Sequence, residues 1–197
     1  MIYSSKQNSL IKRIVSLKDK KGRREQGLFI VEGVKMVTEA FKFNQPVTMI
    51  IKSVDFNYEM PTFAVETITV SSEVFKYLSS EQTPQGVMAV IKTPDLSVEK
   101  PISNALILDG VSDPGNLGTI IRTAAASGYK SIYLISCAEP FSPKVVRASM
   151  SGIYFVKLHK TTYAEVFNAV SGYDILVADM GGENLFEYNN CDIEFFS

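Results

Sequence analysis

The stretch LILDGVSDPGNLGTIIRTAAASG, Leu106 to Gly128, constrains the fold more than any other. A short apolar run stops at Asp109–Gly110, a Gly/Asp/Pro/Asn loop turns the chain, and an alanine-rich helical pattern closes at Gly128. A strand this apolar needs cover on both faces, and helices supply it, so the pattern predicts a parallel sheet flanked by helices. The same alternation continues downstream. SIYLIS, YFVKL and DILVAD read as strands, SPKVVRASM and TYAEVFNAVSG as helices, and CDIEFFS as the start of a further strand. Strands separated by helical segments imply right-handed parallel crossovers.

Upstream lies a second α/β module. NSLIKRIVSLKDKK places Leu10, Ile11, Ile14, Val15 and Leu17 at helical spacing, with Asn8 or Ser9 as cap. LFIVEG, VTMIIK, AVETITV and GVMAVIK read as strands, and VKMVTEAFKF and SSEVFKYLSS as helices, the latter capped by Ser71 or Ser72. Between the modules TPDLSVEKPIS has two prolines, scattered charges and no periodicity, which is linker chemistry. The expected organisation is a domain over 1–93, a linker over 94–103 and a second domain over 104–197.

Charge is unevenly placed. Lys6, Lys12, Arg13, Lys18, Lys20, Lys21, Arg23 and Arg24 face Asp19 alone in the first 24 residues, a net of about +7 in a chain whose total is −1. A solvated helix face followed by a flexible turn explains this, and so does attraction to phosphate, since each neutralised phosphate releases counterions. Cys137 and Cys191 share no metal or redox spacing, so neither a disulfide framework nor a zinc site is expected. No apolar run reaches membrane-span length and the N-terminus has no secretory pattern, which points to the cytoplasm.

The 109–116 loop is positioned for chemistry, because ligands gather at the carboxyl ends of parallel strands. Asp113 and Pro114 set a tight turn, and Asn116 is expected at the helix N-cap. On local pattern alone this is ordinary strand-to-helix capping, and the spacing matches neither GxGxxG nor a P-loop. Arg122 shifts the balance. It sits among Ile120, Ile121, Ala124 and Ala125, six residues or about 9 Å beyond Asn116, on a helix whose side chains lean toward its N-terminus. Its guanidinium is expected to reach back to the loop mouth. His159, between Lys157 and Lys160, reads as a surface residue, since no partner for catalysis stands at a suitable spacing. Glu32 and Gly33 read as turn and capping residues.

DGVSDPGNLGTIIRTAAASG closely resembles the first motif of the SpoU (TrmH-like) family of RNA ribose 2′-O-methyltransferases, with Asn116 and Arg122 on the family's asparagine and arginine. FIVEGVKMVTEA and TPQGVMAVIK resemble its small substrate-binding domain, and SPKVVRASMSGIYF its middle segment, with Ser151 and Gly152 where glycine and a small residue are common. The resemblance implies an L30e-like α/β domain followed by an α/β-knot (SPOUT) parallel-sheet domain. It also implies methyl transfer from S-adenosylmethionine to a ribose hydroxyl of RNA, ribosomal RNA foremost, by a homodimer. The family's knot loops should follow CDIEFFS, so on this reading the chain is truncated before the knot, the cofactor residues lie beyond Ser197, and the chain alone would be inactive.

A guanidinium stays protonated in essentially any protein setting, so Arg122 is assigned to stabilising the forming alkoxide or clamping a phosphate rather than accepting a proton. Asn116 would cap the helix and orient the loop or ribose. Lys12, Arg13, Lys18, Lys20, Lys21, Arg23 and Arg24 are the expected RNA contacts, and no metal is expected. The competing reading is a non-catalytic RNA-binding module or fragment. An ordinary nucleotide-dependent doubly wound enzyme lacks its glycine fingerprint.

Overall fold

The computed structural model of the chain describes residues 1–178 and 181. The first sheet has five strands, β1 (Ile2–Tyr3), β2 (Leu28–Glu32), β3 (Val47–Ser53), β4 (Thr67–Val70) and β5 (Val87–Lys92), in the order β1-β4-β3-β5-β2. β1, β4 and β3 run parallel, and β5 pairs antiparallel with both β3 and β2. β5 is central and shows why its sequence is continuously apolar. Its Met88 and Val90 face one layer while Val87, Ala89 and Ile91 face the other.

On the first layer pack α1 (Ser9–Val15), a 3-10 turn at Ser16–Lys18 and α4 (Ser72–Leu78), through Ile11, Ile14, Leu17, Val74, Phe75 and Leu78. Asn8 and Ser71 cap these helices, as their sequences suggested. α3 (Val34–Lys42) lies on the second layer with Val37 and Ala40 fully buried. β1 has no sequence signature because two residues carry no periodicity; register alone places Ile2 against Thr69 and Tyr3 against Val70. The expected flexible turn after α1 is instead a helix, α2 (Lys20–Gln26), closed by Gly27 in the left-handed conformation at φ 61°. Its polar sequence hides the reason: Arg23 is its buried anchor.

The second sheet is wholly parallel, as expected: β6 (Ala105–Asp109), β7 (Ser131–Ile135) and β8 (Lys157–Lys160) in the order β6-β7-β8. α5 (Pro114–Ala126) and α6 (Pro143–Ser149) cover one face, and α7 (Tyr163–Ala169) covers the other. Thr162 and Glu165 form a reciprocal capping box at the start of α7. The strand expected at YFVKL begins later. Met150–Tyr154 forms a 3-10 turn that packs on α5, and Tyr154 donates to the Met36 carbonyl at 3.1 Å, which withholds those residues from the sheet. The strand expected at DILVAD is not formed over 174–178: among the described residues no ladder pairs with them, and Ile175, Leu176 and Val177 are exposed. Asp179 and the expected strand CDIEFFS lie outside the described residues.

The two sheets share one apolar core. Phe29, Val31 and Val37 belong to the same buried cluster as Leu117, Ile121, Val145 and Val146, and the Phe29 and Phe141 rings lie 4.8 Å apart. Polar contacts reinforce the seam: Ser151 donates to Glu39, and Arg147 pairs with Glu81 while donating to the Ser80 carbonyl at 2.6 Å. Residues 93–104 have no regular secondary structure, yet they are fastened along β8. Lys160 N–H donates to the Leu96 carbonyl at 3.0 Å, and the Tyr133 hydroxyl to the Glu99 carbonyl at 2.6 Å.

His159 is not the surface residue its neighbours suggest. It is fully buried, stacks on Tyr133 at 4.7 Å and places Nδ1 2.5 Å from the Ser97 carbonyl oxygen. It pairs with Tyr133 on β7 and shares a face of β8 with the exposed Lys157, so what buries it is the 93–104 segment, whose Ser97 carbonyl lies against its ring.

Candidate active site

The mouth at the carboxyl end of β6 is built from a capped loop. Gly110 adopts φ 66° and donates to the Ile135 carbonyl at 2.9 Å, which ties the start of the loop to the end of β7. Asp113, not Asn116, is the N-cap: its carboxylate accepts from the Asn116 N–H at 2.8 Å, and Pro114 opens α5. Proline at the first helical position suits a cap one residue earlier, which moves Asn116 into the first turn, where it is exposed. The hydrogen bond from the Asn116 N–H and the Lys144 ammonium, 3.1 Å away, hold the Asp113 carboxyl below its usual range. The Asn116 side chain is thereby released from the capping role assigned to it.

A second polar pair spans the mouth. The Tyr163 hydroxyl donates to Asp109 at 2.6 Å, and this carboxylate pushes the phenol's pKa upward. Neither Tyr163 nor Lys144 stands out in the sequence. Both follow from topology, because the start of every helix in a parallel sheet falls at the same edge as the end of β6.

Arg122 is exposed, and among the described residues it makes no hydrogen bond or ion pair. Its backbone, by contrast, is clamped. A Cβ at Gly152 would lie 2.8 Å from the Arg122 Cα, and one at Gly118 would lie 2.5 Å from the Ala148 Cβ and 2.6 Å from the Val145 carbonyl oxygen. Glycine at both positions lets α6 and the 3-10 turn press directly on α5. The result is a fixed helix carrying an uncommitted guanidinium. Gly115 and Arg122, seven residues apart, share a helix face, so Arg122 lies behind the loop mouth on the side of the first turn.

The basic segment divides. Arg23 is buried and fully engaged: Nε donates to Glu139 at 2.9 Å, Nη2 pairs with the same carboxylate, and Nη1 donates to the Leu17 and Lys18 carbonyls at 2.8 and 2.7 Å. Lys18 donates to the Tyr77 and Ser79 carbonyls at 2.8 and 2.6 Å, and burial lowers its pKa. These two cations stitch the fold, which departs from the solvent-facing role expected of them. Lys12, Arg13, Lys20, Lys21 and Arg24 are exposed. Glu32 accepts from the Ser79 hydroxyl and Ser80 N–H, and Gly33 caps α3 at φ 94°.

The SpoU rRNA Methylase family model matches residues 103–195, and that of the MRM3-like substrate binding domain matches residues 8–89. The chain belongs to the SpoU methylase family. It is 36% identical over 157 residues to an uncharacterized tRNA/rRNA methyltransferase of Synechocystis, covering 74% of this chain and 57% of that one. It is 30% identical over 156 residues to the 23S rRNA (guanosine(2553)-2′-O)-methyltransferase RlmP of Bacillus subtilis, covering 77% and 62%. The chain thus spans about three-fifths of these relatives' lengths. The AdoMet-bound rRNA methyltransferase of Sinorhizobium meliloti superposes with a TM-score of 0.74 at 26% identity, covering 86% of this chain and 67% of that one. Among the described residues no helix is long and apolar enough to cross a membrane.

Proposed function

We propose that this SpoU protein transfers a methyl group from S-adenosylmethionine to a ribose 2′-hydroxyl of RNA, with ribosomal RNA as the substrate class and a homodimer as the working assembly. The division into a substrate-binding part over 1–93 and a transferase part over 104–197 belongs to the same reading. The observation that carries it is the rigidly seated, uncommitted Arg122 on the helix whose first turn exposes Asn116. The relatives' names support the substrate and the reaction, and the cofactor-bound structure supports the methyl donor.

The mouth presents the Asp109 carboxylate, engaged by the Tyr163 hydroxyl, and the exposed loop at Gly110 and Ser112, and no cofactor-binding residue is assigned among them. When bound, the cofactor supplies an electrophilic methyl group. The residues of this chain then have two tasks. Asn116, free of capping, orients the ribose by hydrogen bonding so that its hydroxyl lies in line with the methyl. Arg122, permanently charged, stabilises the negative charge that develops on that oxygen or holds the adjacent phosphate, an effect worth about 3–4 kcal/mol for a well-placed donor.

Calorimetric titration with S-adenosylmethionine, paired with transfer of labelled methyl to ribosomal RNA, tests the proposal. Cofactor binding with methyl incorporated at a ribose would support the transferase reading against the expectation of an inactive chain. RNA binding without cofactor binding or transfer would assign the chain to the non-catalytic module.

A further inference from the structure

An open trough of about 480 Å³ runs beneath α1 at the end of the first sheet. Its walls are apolar: Leu10 and Ile14 on α1, Leu28 at the start of β2, Met49 on β3 and Val90 on β5. Its rim carries Arg13, Lys92 and Glu66. One end is closed where Thr93 N–H donates to the Gly27 carbonyl at 2.8 Å. A volume of this order accommodates a nucleoside-sized group.

The rim is organised. Arg13 Nε donates to Gln26 Oε1 at 3.0 Å, while Gln26 Nε2 donates to the Arg13 carbonyl at 3.1 Å and to Ser16 Oγ at 2.8 Å. The guanidinium is therefore held at the edge of an apolar wall instead of sweeping through solvent. Unpaired RNA bases stack on such planes and on apolar surface, and their phosphates seek cations. The exposed Lys12, Lys20, Lys21 and Arg24 lie on α1 and α2, the same two helices that give the trough Leu10, Arg13, Ile14 and Gln26, and this charge fits a polyanion better than an apolar peptide.

We propose that this trough receives one unpaired nucleobase of single-stranded RNA. The base lies on the Leu10–Met49 wall against Arg13, Lys92 pairs with a flanking phosphate, and the Glu66 carboxylate accepts from the base edge. A carboxylate there favours guanine, whose Watson–Crick edge offers two adjacent N–H donors. The inference rests on the RNA-binding reading above and adds a site to it.

Fluorescence anisotropy with a labelled oligouridine containing one guanosine, and with its twin abasic at that position, tests it. Loss of the base is expected to weaken binding about ten-fold, the scale of one base–side-chain stack. Arg13→Ala and Lys92→Ala, both at exposed positions, should weaken binding several-fold. Met49→Trp, which fills the trough, should abolish the difference between the two oligonucleotides, with thermal melting as the check on folding. Tight, salt-sensitive RNA binding that none of these changes alters would overturn the trough alone and leave it to another partner, such as a peptide. Absence of RNA binding at low salt would overturn the RNA reading and the trough together.

Discussion

Two arginines define two corners of the molecule with opposite physics. Around Arg23, on α2, every nitrogen of the guanidinium is committed, to Glu139 and to the Leu17 and Lys18 carbonyls of the 3-10 turn that follows α1. Around Arg122, on α5, the backbone is gripped at Gly118 and Gly152 while the exposed guanidinium makes no hydrogen bond or ion pair among the described residues. The first corner uses its charge to join the basic segment to the loop that follows β7. The second holds its charge in solvent. Position in sequence does not separate them; the acceptors around each guanidinium do.

If that contrast is right, the largest loss of stability comes from the first corner. Arg23→Ala leaves Glu139 and two carbonyls without their partner and should cost about 3 kcal/mol, read by urea unfolding. A loss under about 1 kcal/mol would make the pair a surface contact. The clamp on the second corner is next. Gly152→Val forces the 3-10 turn away from the Arg122 backbone and should cost about 1–3 kcal/mol, with methyl transfer falling more than stability alone explains. Unchanged transfer would detach the clamp from function.

Charge reversal of Lys20, Lys21 and Arg24, with Arg23 left intact, should weaken RNA binding and lower the salt slope by about 0.7 for each phosphate that is no longer neutralised. An unchanged slope would remove α2 from the interface. The smallest effect concerns the cap. Asp113→Ala should lower Tm by a few degrees at neutral pH. Because the Asp113 carboxyl is depressed in the folded state, its contribution is present above the unfolded value of about 3.9 and is lost as pH falls through the folded value. The gap between wild type and variant should therefore close below about pH 4. A gap that persists there would assign it to backbone propensity.

Much of the architecture was legible in the sequence, and the failures share a cause. Helices such as α1, α4 and α6 were found because apolar periodicity, the caps Asn8 and Ser71 and the N-terminal Pro143 are local signals. α2 was missed because KKGRREQ has no apolar stripe; a buried ion pair to a residue 116 positions away anchors it. His159 was misplaced because nothing local in the sequence shows that the segment around Ser97 folds back over β8 and covers its ring. The cap was misassigned by one turn because Asp113 and Asn116 are both good caps, and Pro114 between them decided the matter. DILVAD has the composition of a strand, yet over 174–178 no ladder among the described residues receives it, and composition alone does not make a strand. Of the candidate site, Asn116 and Arg122 were visible in the motif, whereas the Tyr163–Asp109 pair depends on the meeting of two strand ends.

The central claim is that Arg122 acts on the reacting oxygen and holds up nothing else. Single-turnover methyl transfer by Arg122→Ala, measured beside its RNA Kd and Tm, tests this most directly. The expected rate is lower by about 100- to 1000-fold, with Kd and Tm close to those of the unaltered protein. Equal losses in rate and affinity, or a fall in Tm like that of Arg23→Ala, would contradict it.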